Sequence, residues 1–238
     1  MTPVVLAVAG AAALVGAVVV LRTFGPGYRL GRLLAVTPRI AVEAAVADAH
    51  AAVGRYVRIE GRIDSETDFE DEHHRPLVFR RRRLEIRRRG RWEAIDAARE
   101  AVPFEIREGL AAIAVDTDAL DEGLVVIPRE AVGSAADAPD RAPADVPPTA
   151  PLRIRVEQVS SVEHAIVVGV PTLAADGGVA MTAGSSRPLI LTTLEADEAM
   201  RLLAGGRRTR PVLATVLLVG GFVLVIVAFG WALVRGAA

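Results

Sequence analysis

VLATVLLVGGFVLVIVAFGWALV, residues 212–234, and VVLAVAGAAALVGAVVVL, residues 4–21, decide the class of this chain. The runs hold 23 and 18 residues and contain no Asp, Glu, Arg, His or amide side chain. At ~1.5 Å per helical residue they reach about 34 and 27 Å, against a hydrocarbon core of ~30 Å. A soluble core helix of that length would keep a polar face. Both runs are therefore expected to cross a membrane, with the residues between them forming a domain tethered at both ends.

A cleaved signal peptide is the other reading of the first run, and it would want a basic start and a small-residue cleavage site. Only Met1, Thr2 and Pro3 precede the run, while Arg22, Arg29, Arg32 and Arg39 follow it. That order is the one a retained anchor has. Arg201, Arg207, Arg208 and Arg210 precede the second run, whereas Arg235 and the terminal amine are the cations on the far sides. The positive-inside rule then predicts an integral cell-membrane protein of two spans, its central domain in the cytoplasm and both termini outside. A long loop can be translocated whatever its charge, so translocation stays open.

The formal charge of −1 over 238 residues conceals an unusual balance: all 28 basic residues are Arg, with no Lys, Asn or Cys. A GC-rich, prokaryotic genome produces that usage. Without Cys the chain can form no disulfide, thiolate zinc site or cysteine nucleophile. Aromatics are 4% of the chain, so a core must be built from Val, Leu, Ile and Ala. The residues between the runs are enough for one full core or two small ones.

Residues 22–53 read as a basic, partly helical membrane-proximal segment, with Thr37-Pro38 as an N-cap and first helical position for a helix ending near Gly54. Residues 56–63 alternate apolar and polar, as a half-buried strand does. Residues 65–75 form a polar loop, and residues 77–88 a long strand that Arg89-Gly90 turns into a partner starting at Arg91-Trp92. Strands are predicted at 102–106, 110–115 and 124–128, then at 152–156, 165–170, 179–182 and 189–192, with a turn at Asp176-Gly177-Gly178. Residues 133–151, rich in Ala, Asp and Pro, read as a mobile linker. Thr192-x-x-Glu195 has the form of a capping box for a short helix over 194–204 that stops at Gly205-Gly206. The fold class predicted is a mainly-β soluble domain, a small antiparallel barrel or sandwich over 54–193, flanked by two transmembrane α-helices.

Several pieces together resemble a known family. Gly54-Arg-Tyr-Val-Arg-Ile-Glu-Gly61, Pro76-Leu-Val-Phe-Arg80 leading to Trp92, Val102-Pro-Phe-Glu-Ile106, Ala114-Val-Asp116, Arg155-Val-Glu157 and Ala165-Ile-Val-Val-Gly-Val170 stand in the order seen in the GIDE-type domain, also called the beside-a-membrane (BAM) domain. That domain is known from mitochondrial membrane E3 ubiquitin ligases and from bacterial and archaeal relatives. The resemblance covers roughly residues 53–193 and implies two bracketing spans around a β domain. In the ligases a RING follows the second span. Here Arg-Gly-Ala-Ala follows Val234, and with no Cys and only His50, His73, His74 and His164 the eight ligands of a RING cannot be assembled. The resemblance thus implies the non-catalytic half of a ligase-like protein.

Two clusters carry chemistry. Asp68, Glu70, Asp71, Glu72, His73 and His74 place carboxylates and imidazoles close enough to hold a divalent cation, or else form a solvated hairpin loop. Arg80, Arg81, Arg82, Arg83, Arg87, Arg88 and Arg89, with Arg91, put eight Arg within twelve residues. On a strand alternate members must face opposite sides. They can contact lipid headgroups or an acidic partner, or be neutralised by the acidic loop upstream. Nucleic acid is disfavoured because only Phe79 and Trp92 are near for stacking. Trp92 is expected as a core or barrel-closing aromatic, and Pro103-Phe104 as a strand anchor with Phe104 packed in the core. Ser160-Ser161, Ser185-Ser186 and the Glu163-His164 pair make no catalytic constellation, and no cofactor or enzymatic role is predicted. Gly220-Gly221 invites close helix contact or is simply tolerated. The function expected is a membrane-anchored interaction or scaffold domain, with the bilayer and an unidentified membrane or cytoplasmic protein as partners. The alternatives are an accessory regulator of a membrane protease or transporter, and an anionic-lipid-binding module.

Overall fold

In a computed structural model of the chain, Val57, Ile59 and Ile63 enter one apolar core while Arg58, Glu60 and Arg62 turn away from it, as the period-two pattern requires. The structure describes residues 3–22, 26–138, 140–141, 143, 146–174, 177–203 and 209–236. In chain order the helices are α1 (Pro3–Arg22), α2 (Pro26–Val36), α3 (Val42–His50), α4 (Ala196–Leu203) and α5 (Thr209–Gly236). The strands are β1 (Val57–Asp64), β2 (Phe69–Glu70), β3 (Pro76–Arg88), β4 (Arg91–Ala101), β5 (Glu105–Glu108), β6 (Ala111–Val115), β7 (Leu124–Val125), β8 (Arg129–Ser134), β9 (Pro151–Ser160), β10 (His164–Leu173), β11 (Val179–Thr182) and β12 (Ile190–Thr192). The chain divides into two units, residues 33–200 and the two ends, 1–32 with 201–238.

The larger unit is mainly β. Strands β1, β5, β6, β11 and β10 pair in that order, and β10 pairs back onto β1, which closes a five-stranded barrel. Strands β12 and β7 extend it beyond β10. Closure removes the free edges that would otherwise invite pairing. Val57, Ile59, Ile106, Ile113, Val167, Met181 and Leu191 fill the barrel, and Val42 and Ala45 of α3 pack into the same core. Gly169 is required where β10 passes the end of β11, because a Cβ there would lie 2.6 Å from the Thr182 carbonyl oxygen.

The second sheet runs β2-β3-β9-β8, with β4 pairing the same edge of β3 as β2 does. Val78, Phe79 and Val159 carry its inner end into the barrel core. Its outer end is covered by the segment read as a linker. Gly133 and Ser134 close β8, Ala135 is buried against Leu84, Ile86 and Leu152, and the Ala135 and Ala136 amides donate to the Ala150 and Pro148 carbonyls at 2.9 Å. Residues 139, 142, 144 and 145 of that segment lie outside the described residues, as do Asp176, Gly205-Gly206, Arg207 and Arg208.

Several expectations are corrected. Thr37 does not cap the helix after it: its hydroxyl donates back to the Leu33 carbonyl at 2.6 Å and closes α2. Pro38 and Ile40 instead bracket Arg58 in backbone hydrogen bonds, so α3 begins only at Val42. Thr192 belongs to β12, and its hydroxyl accepts the Leu194 amide at 3.1 Å, two residues on rather than three. The strand expected over 102–106 starts at Glu105, and Arg129 opens a strand of its own.

In the smaller unit α1 and α5 are antiparallel, with Gly10 beside Val225, Leu14 beside Gly221 and Gly16 beside Leu217. A Cβ on Gly10 would lie 2.9 Å from the Gly221 carbonyl, and one on Gly221 3.0 Å from the Gly10 carbonyl, so the helices cross where both lack side chains. Gly220 faces open space. Among the described residues one helix segment, Ala214–Trp231 with a mean hydropathy of 2.4, is long and apolar enough to cross a membrane. The apolar part of α1, Val4–Val20, is shorter than that criterion.

Candidate functional site

Strand β3 deals the arginine run onto two faces. Across β9 the register sets Arg80 opposite Gln158 and Arg82 opposite Val156, while Arg81 meets Glu157, Arg83 meets Arg155 and Glu85 meets Arg153. Opposed residues share a face, so Arg80 and Arg82 belong to one side and Arg81, Arg83 and Glu85 to the other.

The second of these faces is a lattice of charge pairs. The Arg81 Nε lies 2.7 Å from Glu157 with both side chains about nine-tenths buried, and Nη1 donates to the Asp121 carbonyl at 2.6 Å. Arg99 of β4 donates to the Thr117 carbonyl and lies over the Phe79 ring at 5.1 Å. Together Arg81 and Arg99 pin the loop before β7. Farther out, Arg153 Nε donates to Glu85 at 2.9 Å and its guanidinium stacks on Trp92 at 4.5 Å. Trp92 is therefore a half-buried platform on β4 and not a core residue, whereas Phe104 is in the core as expected.

The first face is open over half its length. Arg80 is bound to Glu100 at 2.5 Å and lies over Phe69 at 5.2 Å. Arg82 is exposed and, among the described residues, meets no carboxylate. A cavity of about 360 Å³ lies here, floored by Ala131, Ile154 and Val156 and rimmed by Arg80, Arg82 and Arg129. Asp71, Glu72 and His73 of the acidic loop line it as well. At the hairpin tip Arg87 and Arg89 are exposed, and Arg88 comes within 4.0 Å of Glu93.

The acidic loop spends its central carboxylate on itself. Asp71 accepts the His73 and Arg75 amides at 2.8 and 3.0 Å, the Arg75 guanidinium at 2.7 Å and the Gln158 amide at 3.2 Å. The hydrogen bond from the Arg75 amide, joined by those from His73 and Gln158 and by the Arg75 charge, outweighs partial burial and holds the Asp71 carboxyl far below the usual carboxylate range. His74 lies 2.6 Å from Glu70, and Ser161 reaches Asp68 at 3.4 Å. Glu72 and His73 remain exposed on the cavity wall. Asp68, Asp71 and the Glu70–His74 pair thus turn to separate partners, Glu72 and His73 are exposed, and among the described residues no three His, Asp or Glu gather as cation ligands. The neutralisation expected between this loop and the arginine hairpin is replaced by pairing of the hairpin with β4 and β9.

Sequence reasoning missed Arg129 and Val156 because nothing local marks them. Arg129 follows Pro128, and its partner Val156 becomes a neighbour only through the β8–β9 pairing. No family model, no curated protein and no solved structure matches this chain.

Proposed function

We propose that this chain is a membrane-anchored interaction domain of the GIDE type whose β unit presents a surface to a partner protein. The observation that carries this reading is the antiparallel pairing of α1 and α5 through Gly10 and Gly221. It holds both ends of the chain in one helical hairpin and leaves residues 33–200 as an insertion within it. A pair of apolar helices notched by glycine is how helices associate where no hydrophobic driving force separates protein from solvent. On this reading α1 is a second span beside α5, and the excess of Arg next to both helices keeps the β unit in the cytoplasm. Glycine notching between the two apolar helices supports the tether.

The absence of native Cys makes the test direct. Full-length protein should stay with the membrane after alkaline carbonate washing. Leu110→Cys, at a fully exposed turn, should react with an impermeant maleimide only after cells are opened, and Thr2→Cys should react in intact cells. Release by carbonate, or labelling of both positions on the same side, would overturn the two-span tether. Affinity recovery of the intact chain from its own membrane should bring a partner in near-equal amount, and recovery of the chain alone would sink the scaffold role.

A further inference from the structure

Two guanidiniums straddle one apolar residue on the open face of the second sheet. Arg82 of β3 and Arg129 of β8 are both in register with Val156 of β9, so they form one row across three strands. Strands lie about 4.8 Å apart, which puts the two Arg Cα atoms about 10 Å from each other with Val156 between them. Arginine side chains of that reach can bring both heads over a single point above Val156. The row below it is apolar: Ile154 is paired with Ala131 and Leu84.

Of the carboxylates lining the cavity, Glu72 is exposed, and Asp71 and Glu130 are engaged largely by groups other than this pair. Arg80 is taken up by Glu100 at 2.5 Å, and Glu130 reaches Arg153 and Arg155 at 3.5 and 3.9 Å. Asp71 lies 3.7 Å from Arg129, but its oxygens already accept the backbone of His73 and Arg75, the Arg75 guanidinium and Gln158. Arg82 has no carboxylate partner among the described residues. One guanidinium fork satisfies one carboxylate, whereas two forks converging on a point suit a tetrahedral dianion. The cavity of about 360 Å³ and its floor of Val156, Ile154 and Ala131 add room for an apolar body next to that charge.

We propose that Arg82 and Arg129 form a binding site for the phosphate-monoester end of an amphiphilic molecule whose apolar part lies over Val156 and Ile154. The phosphate belongs either to a lipid headgroup or to a soluble ester. The site stands independently of the anchoring role above.

The test uses the full-length protein in phosphatidylcholine nanodiscs, titrated with phenyl phosphate and with inorganic phosphate. Phenyl phosphate should bind, and inorganic phosphate should bind on the order of tenfold more weakly, because only the ester covers the apolar floor. Arg82→Gln and Arg129→Gln should each weaken phenyl phosphate at least about tenfold, while Arg87→Gln at the hairpin tip should leave it unchanged. Matching circular dichroism and thermal unfolding of the variants keep a folding defect from being read as lost binding. Nanodiscs doped with phosphatidic acid identify the source: competition with phenyl phosphate supports the site with a lipid headgroup in it, and no competition supports it with a soluble ester. Absence of phenyl phosphate binding, equal binding of inorganic phosphate, or an equal loss in Arg87→Gln would overturn the proposal.

Discussion

The Arg81 guanidinium lies 2.7 Å from the Glu157 carboxylate, with 10% and 7% of the two side chains exposed. Such a pair is expensive to break and cheap to replace, because removing one partner strands a buried charge. Arg81→Met should destabilise the full chain by about 3 kcal/mol, moderated by Arg155, which stands 3.4 Å from Glu157 and can take over part of its charge. Arg81→Met combined with Glu157→Leu should recover most of that loss in urea unfolding of the detergent-solubilised protein. A double variant as unstable as the sum of the two single ones would mean that the two side chains are not coupled, and would overturn this account.

Asp71 makes the acidic loop sensitive to acid in one direction. Its carboxyl is held below the usual range in the folded chain, chiefly by the Arg75 amide, while an unfolded Asp titrates near 3.9. A depressed folded value means a stabilising contribution that is complete above the unfolded pKa and is lost as pH falls from there toward the folded one. Hydrogen exchange at the His73 and Arg75 amides should therefore stay slow, once corrected for intrinsic rate, from neutral pH down to about 5 and speed up only in stronger acid. Asp71→Asn should show fast exchange at all these pH values. Loss of protection between pH 7 and 5 in the wild-type chain would mean that a different group holds the loop.

The reach of sequence reading differed between local and distant features for physical reasons. The β3–β4 hairpin is legible because Arg89-Gly90 is a local turn signal between two runs long enough to pair. Thr37 is ambiguous in the sequence because a hydroxyl can accept an amide of a helix ahead or donate to a carbonyl of the helix behind, and here it donates to Leu33. The 133–151 segment looked like a linker by composition, yet its alanines are small enough to lie flat on Leu84 and Ile86. The candidate site was legible only in half. Arg82 stood out in the arginine run, whereas Arg129 joins it through the pairing of β8 with β9 and β9 with β3, which no local pattern encodes.

Gly220 and Gly221 are neighbours with opposite tolerance. A Cβ on Gly221 would meet the Leu14 Cγ at 2.9 Å and the Gly10 carbonyl at 3.0 Å, and one on Gly220 meets nothing within 4 Å. Gly221→Leu should separate α1 from α5, and Gly220→Leu should not. Cysteines placed at Gly16 and Leu217, where a Cβ and a side-chain carbon approach to 3.7 Å, report this pairing by oxidative cross-linking in detergent. Cross-linking should fall severalfold with Gly221→Leu and be retained with Gly220→Leu. Equal effects of the two substitutions would mean that general helix propensity, not the notch, governs the pairing.

Arg89 offers a route to greater stability. It and Gly90 have φ values of 49° and 80°, so both central residues of this two-residue hairpin turn are left-handed, as its twist requires. Gly adopts that region freely, but a side chain such as Arg pays in crowding of its Cβ against the carbonyl, about 1 kcal/mol or more. Asn tolerates the region better than other non-Gly residues and precedes Gly in the preferred turn of this kind. Arg89 is exposed, so replacing it removes little packing. Arg89→Asn should raise the stability of the full chain by about 0.5 kcal/mol, and Gly90→Ala should lower it by about 1 kcal/mol. Urea midpoints of the two variants against wild type decide the matter: a lower midpoint for Arg89→Asn would mean that its guanidinium supports the hairpin in a way the strain argument leaves out.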